Sequence, residues 1–210
     1  MDLYFSPLAC SMATRIPLYE GGIPANFIGV DTRAKRLADG SDFMAVNAMG
    51  QVPVLRTEEG ELLTENPAVL QYVADRKPEA GLAPKSGMAR YRLQQWLNFV
   101  TTELHKVVFV PLLDPSVSED GKAYARQKAQ ARLDYLNNHL HGREYLLDRF
   151  TVADAYLVTV LNWARYTGVD LAKWPAVKTY MDRMYQRPSV AKAIAEEMAL
   201  FQEQQTKRAS

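Results

Sequence analysis

The apolar positions of this chain change their rhythm near residue 77. Before that point they come in short runs of strand length divided by turn signals; after it they recur about every three to four residues over long stretches, the spacing of helices. Residues 2–5 are expected as a short buried strand and residues 11–20 as a helix, with Pro17 removing a backbone donor and kinking it. Gly21-Gly22 stops that helix, and Asn26-Phe27-Ile28-Gly29-Val30 is a second strand. Residues 31–42 are polar, with Arg33, Lys35 and Arg36 close together, and are expected as a positively charged loop. A short helix over 42–46 precedes Gly50-Gln51-Val52-Pro53-Val54-Leu55, a turn entering a strand. Glu58-Glu59-Gly60 is a hairpin signal, with Leu62-Leu63 returning. Thr64-Glu65-Asn66-Pro67 starts a helix whose buried face is Ala68, Val69, Tyr72 and Val73. The order so far is β-α-β-α-β-β-α.

Beyond it, helices are expected over 88–110, with Pro111 bending or ending the first, over 122–140, from Thr151, over 176–187 and over 190–200; the polar tail after Phe201 is expected to fray. Residues 1–77 are thus expected as an α/β domain, 78–87, with Pro78, Pro84, Gly81 and Gly87, as a linker, and 88–210 as an all-α domain. Thr151-Val152-Ala153-Asp154 is a capping-box variant in which Asp154 reaches back to the Thr151 N–H. Its role is in folding, where a cap typically stabilises by ~1 kcal/mol.

Composition narrows the class without naming it. Among 210 residues, 25 basic and 24 acidic ones leave a net charge of +1, so nothing calls for nucleic acid or an anionic membrane. Met1-Asp2 opens without a basic or long apolar leader, and no apolar run approaches the roughly 18 residues of a membrane span. A soluble cytoplasmic protein is expected. The histidines suggest no metal: His139 and His141 are two apart and point to different helix faces.

Chemistry enters through the single cysteine. Cys10 sits where the first strand hands over to the first helix, and a helix N-terminus favours thiolate over thiol. Two readings stand, a reactive thiol and a small buried hydrophobe. A Cys-x-x-Cys pair is excluded because its second position is Ala13. Redox or thiol chemistry at Cys10 therefore needs a sulfur from elsewhere, and glutathione is the obvious intracellular source.

The cysteine at the first strand–helix junction, Val52-Pro53 before the third strand, Glu65-Asn66 at the following helix and the all-helical second half together resemble the cytosolic glutathione transferases. Several stretches look like the bacterial beta class: Ser6-Pro7 through Cys10-Ser11, Val46-Asn47 to Val52-Pro53, Leu70 to Asp75, Gln94 to Phe99 and Glu103-Leu104-His105-Lys106. The resemblance covers nearly the whole chain and implies a thioredoxin-like N-terminal domain, a helical C-terminal domain and a homodimer. It also implies a cis Pro53 that leaves the Val52 backbone to pair with the cysteinyl part of glutathione as an added strand. Alone, Pro53 marks only a strand start or edge.

By the same resemblance Glu65 and Asn66 hold the γ-glutamyl end, although family members often carry Ser or Gly where this chain has Asn66. Lys35, His105 and Lys106 match positions near the glycine carboxylate and the thiol, and Asn98 and Glu103 match as well, Glu103 reaching the neighbouring subunit's site. Arg33 and Arg36 are read as solvated surface. Tyr4, Phe5, Phe109, Trp163 and Tyr166 are candidates for a pocket holding a small hydrophobic electrophile, with core packing the alternative for each.

Ionising a thiol near neutrality asks for a shift of roughly two units, about 2.7 kcal/mol. A helix terminus typically supplies ~0.3–1 kcal/mol and seldom more than ~2. Ser11 or nearby backbone, with His105 and Lys106, is expected to supply the rest. The function expected is conjugation of glutathione to electrophiles, thiol–disulfide exchange through Cys10, or both. A glutathione- or ligand-binding protein without turnover, and a transferase-like regulator, are the alternatives.

Overall fold

The computed structural model describes residues 1–209, with side chains over residues 1–206. Its sheet has five strands in the order β3-β2-β1-β4-β5. The central strand, β1 (Asp2–Phe5), alternates as a strand buried on both faces must. Leu3 and Phe5 join Leu18, Leu55, Val69 and Val73 on one face, while Tyr4 joins Val30, Phe43, Val52 and Val54 on the other. β2 (Asn26–Asp31) runs parallel to β1, with Leu3 opposite Phe27, and β4 (Val54–Arg56) runs antiparallel on its other side, with Leu3 opposite Leu55. β5 (Leu62–Thr64) pairs with β4. Between β1 and β2 lies α1 (Met12–Glu20), which continues through Pro17; α2 (Asn66–Arg76) follows β5. This is the thioredoxin-like half.

One correction falls inside the expected loop of 31–42. Arg36–Leu37 forms a two-residue strand, β3, antiparallel to β2, and a pairing this short leaves no periodic trace in the sequence. The helical half brings others. The single helix expected over 88–110 is α3 (Gly87–Phe99), a π-helical segment Val100–Phe109 and α4 (Val110–Leu113) in continuous succession. Pro111 neither ends nor breaks this run; it stands where the π-helical register gives way to the α-helical one of α4. α5 (Glu119–Leu140) starts earlier than expected, since Ser118 caps it by accepting from the Gly121 N–H at 3.2 Å. α6 (Val152–Leu161), α7 (Ala164–Thr167) and α8 (Pro175–Gln186) follow. The last helix, α9 (Pro188–Ala209), includes the tail expected to fray, up to residue 209; residue 210 lies outside the described part. No described helix is long and apolar enough to cross a membrane.

The two halves share one core. Met12, Ala13 and Ile16 of α1, with Leu70 and Ala74 of α2, belong to the same buried cluster as Leu93, Leu97, Leu104, Leu133 and the α6 residues. Every residue of α6 is buried, so this helix is the axis against which the α/β half is laid. Polar bonds reinforce the joint at the loop after β1. The Leu8 N–H donates to Glu197 Oε2 of α9 at 2.7 Å, and the Trp163 indole N–H, in the turn after α6, donates to the Leu8 carbonyl at 2.8 Å. Arg15 of α1 lies 3.0 Å from Glu197 and 3.1 Å from Glu196.

At the start of α6 the expected capping box is present. The fully buried Asp154 accepts from the Thr151 N–H at 2.9 Å, the Leu146 N–H at 2.9 Å and the Tyr180 hydroxyl at 3.1 Å. One carboxylate thereby closes a helix N-terminus, the loop before it and α8. Burial still dominates its ionisation and raises the carboxyl from 3.8 to about 6. Asp154→Ala would leave two buried backbone donors unpaired, and at about 1–3 kcal/mol each the expected loss is about 3 kcal/mol or more. In a chain of this size that lowers the melting temperature by about 6–12 °C, readable by calorimetry. Because the folded carboxyl is raised, its contribution is complete below about pH 4 and declines as pH rises through about 6. The gap between wild type and variant is therefore expected to be widest in acid.

Candidate active site

A cavity of about 600 Å³ opens where the C-terminal ends of β1 and β4's approach meet the π-helical segment. That volume suits a small molecule. Eight of the residues singled out from sequence line it: Cys10, Lys35, Val52, Pro53, Glu65, Asn66, His105 and Lys106. They come from five separated stretches of chain, and the fold brings them to one place. The Val52-Pro53 peptide is cis.

The backbone marks the same spot. Among the described residues, the non-glycine residues with positive φ are Leu8 at 60°, Lys35 at 57° and Glu65 at 64°. Lys35 and Glu65 line the cavity, and Leu8 lies two residues before Cys10. Left-handed backbone costs such residues about 1–3 kcal/mol each, and its concentration here marks a site held in a required shape. At Lys35 the side chain returns over the turn and donates from Nζ to the Gly50 carbonyl at 2.8 Å. A Cβ on Gly50, itself at φ 58°, would meet the Lys35 chain at 2.8 Å, so only glycine allows this approach.

Cys10 is half-buried, and its Sγ donates to the Val52 carbonyl at 3.1 Å. Burial pushes the thiol up to about 11, while the Lys106 ammonium and the Asn66 amide oppose that rise. The expectation that a helix N-terminus would lower this thiol is therefore corrected. Cys10 precedes α1 by two residues, and desolvation outweighs the local dipole.

Ser11 is also reassigned: its fully buried hydroxyl donates to the Ser6 carbonyl and accepts from the Ser6 N–H, both at 3.2 Å, so it staples the loop and leaves the sulfur to others. His105 is not a cation. Burial lowers its imidazole to about 4, helped by neighbouring Lys106, and Nδ1 lies 2.7 Å from the Tyr156 hydroxyl. The cavity's positive charges are Lys35, Lys106 and Arg33, the last having been read from sequence as surface. Against Glu65 and Asp114 they leave a net charge of +1 on the lining.

Besides Ser11, two expected residues stay outside the cavity lining. Asn98 is exposed and donates to the Gln94 carbonyl at 2.9 Å, and Glu103 accepts from Arg132 Nη2 at 2.7 Å. The proposed aromatic pocket is corrected as well. Tyr4, Phe5, Phe109 and Trp163 are buried in the core, Tyr166 is exposed, and none lines the cavity. Its walls near Cys10 come from Val52, Pro53, Thr101, Val110 and Tyr156. Tyr156 was missed because an aromatic within the uniformly apolar run of α6 reads as packing. Asn66 is 4% exposed, and its Oδ1 has no hydrogen-bond partner. A buried carbonyl oxygen left open beside a cavity is matched to a donor on a ligand.

Comparison with known proteins agrees with this geometry. Residues 9–76 match the family model described as the glutathione S-transferase N-terminal domain, and residues 100–188 match that of its C-terminal domain. Glutathione S-transferase GstA of Escherichia coli O157:H7 is 42% identical over 199 residues, covering 94% of this chain and 98% of that protein. Among solved structures, the ternary complex of BphK, a bacterial GST, superposes with a TM-score of 0.91 at 43% identity, covering 94% of this chain and 99% of that one. A sphingomonad glutathione S-transferase complexed with glutathione has a TM-score of 0.90 at 43% identity, covering 94% and 98%.

If the Cys10 thiol is held as high as about 11, its alkylation by iodoacetamide is expected to accelerate about tenfold per pH unit between pH 7 and 10 without levelling. Mass spectrometry of the intact chain follows the rate. Lys106→Ala removes an opposing charge and is expected to slow it further. A plateau by pH 8 in the wild-type protein would contradict the burial argument.

Proposed function

The chain belongs to the glutathione S-transferase family, and from that premise we propose that its cavity binds glutathione and delivers the sulfur to small electrophiles or disulfides beside Cys10. It is a glutathione transferase of beta-class type. The observation that carries the site reading is the convergence of Cys10, the Val52 backbone at a cis proline, Glu65 and Asn66 on one cavity. A tripeptide with two carboxylates and one ammonium has a net charge of −1, opposite to the +1 of the lining. In this reading Lys35, Lys106 and Arg33 receive carboxylate charge, Glu65 receives the ammonium and the Val52 backbone pairs with the cysteinyl unit.

Conjugation requires the bound glutathione sulfur to lose its proton and attack an electrophilic carbon, displacing or adding to the acceptor. In exchange, the Cys10 thiolate attacks the glutathione sulfur of a mixed disulfide; that S–S bond breaks, the other thiol leaves as thiolate and a Cys10–glutathione disulfide forms. A glutathione thiolate then attacks that disulfide, restoring the Cys10 thiolate and leaving glutathione disulfide, so the two electrons that reduce the substrate disulfide come from glutathione sulfur. The raised Cys10 thiol favours a further role in conjugation: a neutral S–H beside the cavity is a hydrogen-bond donor to the glutathione thiolate.

The single free cysteine suits a reducing compartment, and the cytoplasm is the proposed location. A second copy of the chain is the proposed partner. Met88 and Tyr91 of α3, with Tyr124 and Tyr135 of α5, are all exposed, as is Asn98, and Glu103 lies along the same run. Their burial by a partner would bring Asn98 and Glu103 towards its site. Sedimentation equilibrium is expected to return twice the chain mass; the single-chain mass would remove this part of the reading.

Incubation with glutathione disulfide is expected to add one glutathionyl group, localised by peptide mapping to Cys10. Cys10→Ala is expected to abolish disulfide reduction while retaining measurable conjugation of an aromatic electrophile. Full disulfide reduction by that variant would exclude the covalent role.

A further inference from the structure

Tyr156 is the cavity residue whose part in the chemistry is unassigned. Its side chain comes from α6, every residue of which is buried, and it is 1% exposed, yet it lines the cavity together with His105 and Cys10. Among the described residues its hydroxyl has one hydrogen-bond partner, His105 Nδ1 at 2.7 Å. We infer that Tyr156 is a positioning residue: it donates its proton to His105 Nδ1 and thereby fixes the imidazole in the tautomer that presents Nε2–H to the cavity.

The direction of that bond follows from the accounting of donors and acceptors. A buried phenol O–H must be given to some acceptor. Asn66 Oδ1 has no hydrogen-bond partner, so it is not receiving this proton. The Thr101 hydroxyl, which also stands near the phenol, donates to the Leu97 carbonyl at 2.8 Å, and the hydrogen bond made by the phenol is to the ring nitrogen at 2.7 Å. Nδ1 remains, and it can accept only if the ring carries its proton on Nε2. Burial raises the phenol well above its usual range, which keeps it a donor. The groups facing the ring leave it neutral: Lys106 on its own segment, Tyr156 from α6, the Trp163 ring at 5.0 Å, Cys10 after β1, and Glu65 and Asp114 across the cavity.

Nε2 has no protein partner among the described residues, and the ring lines the cavity. The consequence rests on the glutathione reading above. A neutral N–H donor beside Cys10 stabilises a sulfur that gains negative charge, and it does so without becoming a competing base or acid near pH 7. A hydrogen bond of this kind strengthens as the thiolate forms, so its loss shows in turnover more than in binding.

The test uses the full chain labelled with 15N-histidine. The chain has three histidines, and His105→Gln identifies the His105 signals by their loss. Long-range proton–nitrogen correlation of the wild type is expected to show His105 with Nδ1 unprotonated and Nε2 protonated, unchanged from pH 8 to pH 5. In Tyr156→Phe the ring is expected to become a tautomer mixture. That variant's kcat for conjugation of a chromogenic aromatic electrophile is expected to fall about tenfold, with KM for glutathione within about twofold. A wild-type His105 carrying its proton on Nδ1, or a spectrum unchanged in Tyr156→Phe, would overturn the inference. Should Tyr156→Phe not fold, the wild-type spectrum still decides. It needs no turnover, so absence of glutathione transfer with the expected tautomer would sink the functional reading alone.

Discussion

The site depends on one peptide unit fastened at both ends to the helical half of the molecule. Leu8 holds left-handed backbone, a conformation costing a residue of its kind about 1–3 kcal/mol. Glu197 takes its N–H and Trp163 fills its carbonyl, and two buried hydrogen bonds, one to a carboxylate, offset that cost. Two residues on, Cys10 Sγ reaches the Val52 carbonyl. The position of the sulfur in the α/β half is thus set by α9 and by the turn after α6. Neither half makes the site alone, and the shared core around α6 makes their separation costly.

Around that sulfur the buried groups stay neutral: the Cys10 thiol, the Tyr156 phenol and the His105 imidazole are each shifted by burial against the charged form. The ammonium and guanidinium groups of Lys35, Lys106 and Arg33 share the lining, and Lys106 is near enough to oppose the rise of the Cys10 thiol and to lower the His105 imidazole. Low dielectric strengthens whatever charge finally forms among such groups, which favours a single developing thiolate beside a cation.

Much of this was legible in the sequence because it rests on short-range rules. Short apolar runs bounded by turn signals located β1, β2, β4 and β5, and the Thr151–Asp154 box located the start of α6, since the cap is made by residues three apart. What escaped depended on long-range packing. The π register of Val100–Phe109 has the same apolar content as an α-helix and cannot be told from it by spacing. Tyr156 is an ordinary core aromatic until α6 is laid against His105. Ser11 and His105 were assigned to the right neighbourhood but to other chemistry, because the direction of a hydroxyl and the dielectric around a ring are tertiary quantities. The Cys10 ionisation was misjudged for the same reason: the helix dipole is a local effect visible in sequence, and desolvation, the larger one, is not.

That misjudgement bears on what a single cysteine can do here. A thiol raised to about 11 has little thiolate at neutral pH, so burial protects the chain's one thiol from oxidants and alkylators. The Cys10 S–H is meanwhile held by the Val52 carbonyl, an acceptor that in the proposed complex belongs to the glutathione backbone. A ligand that takes this carbonyl releases the thiol proton from its partner at the moment a second sulfur arrives. The released S–H can then donate to that sulfur, or lose its proton and bond to it in an exchange. In the proposed complex, conjugation and exchange would thereby share a first step, the transfer of the Val52 carbonyl from Cys10 to the ligand, and would diverge only in where the Cys10 proton goes.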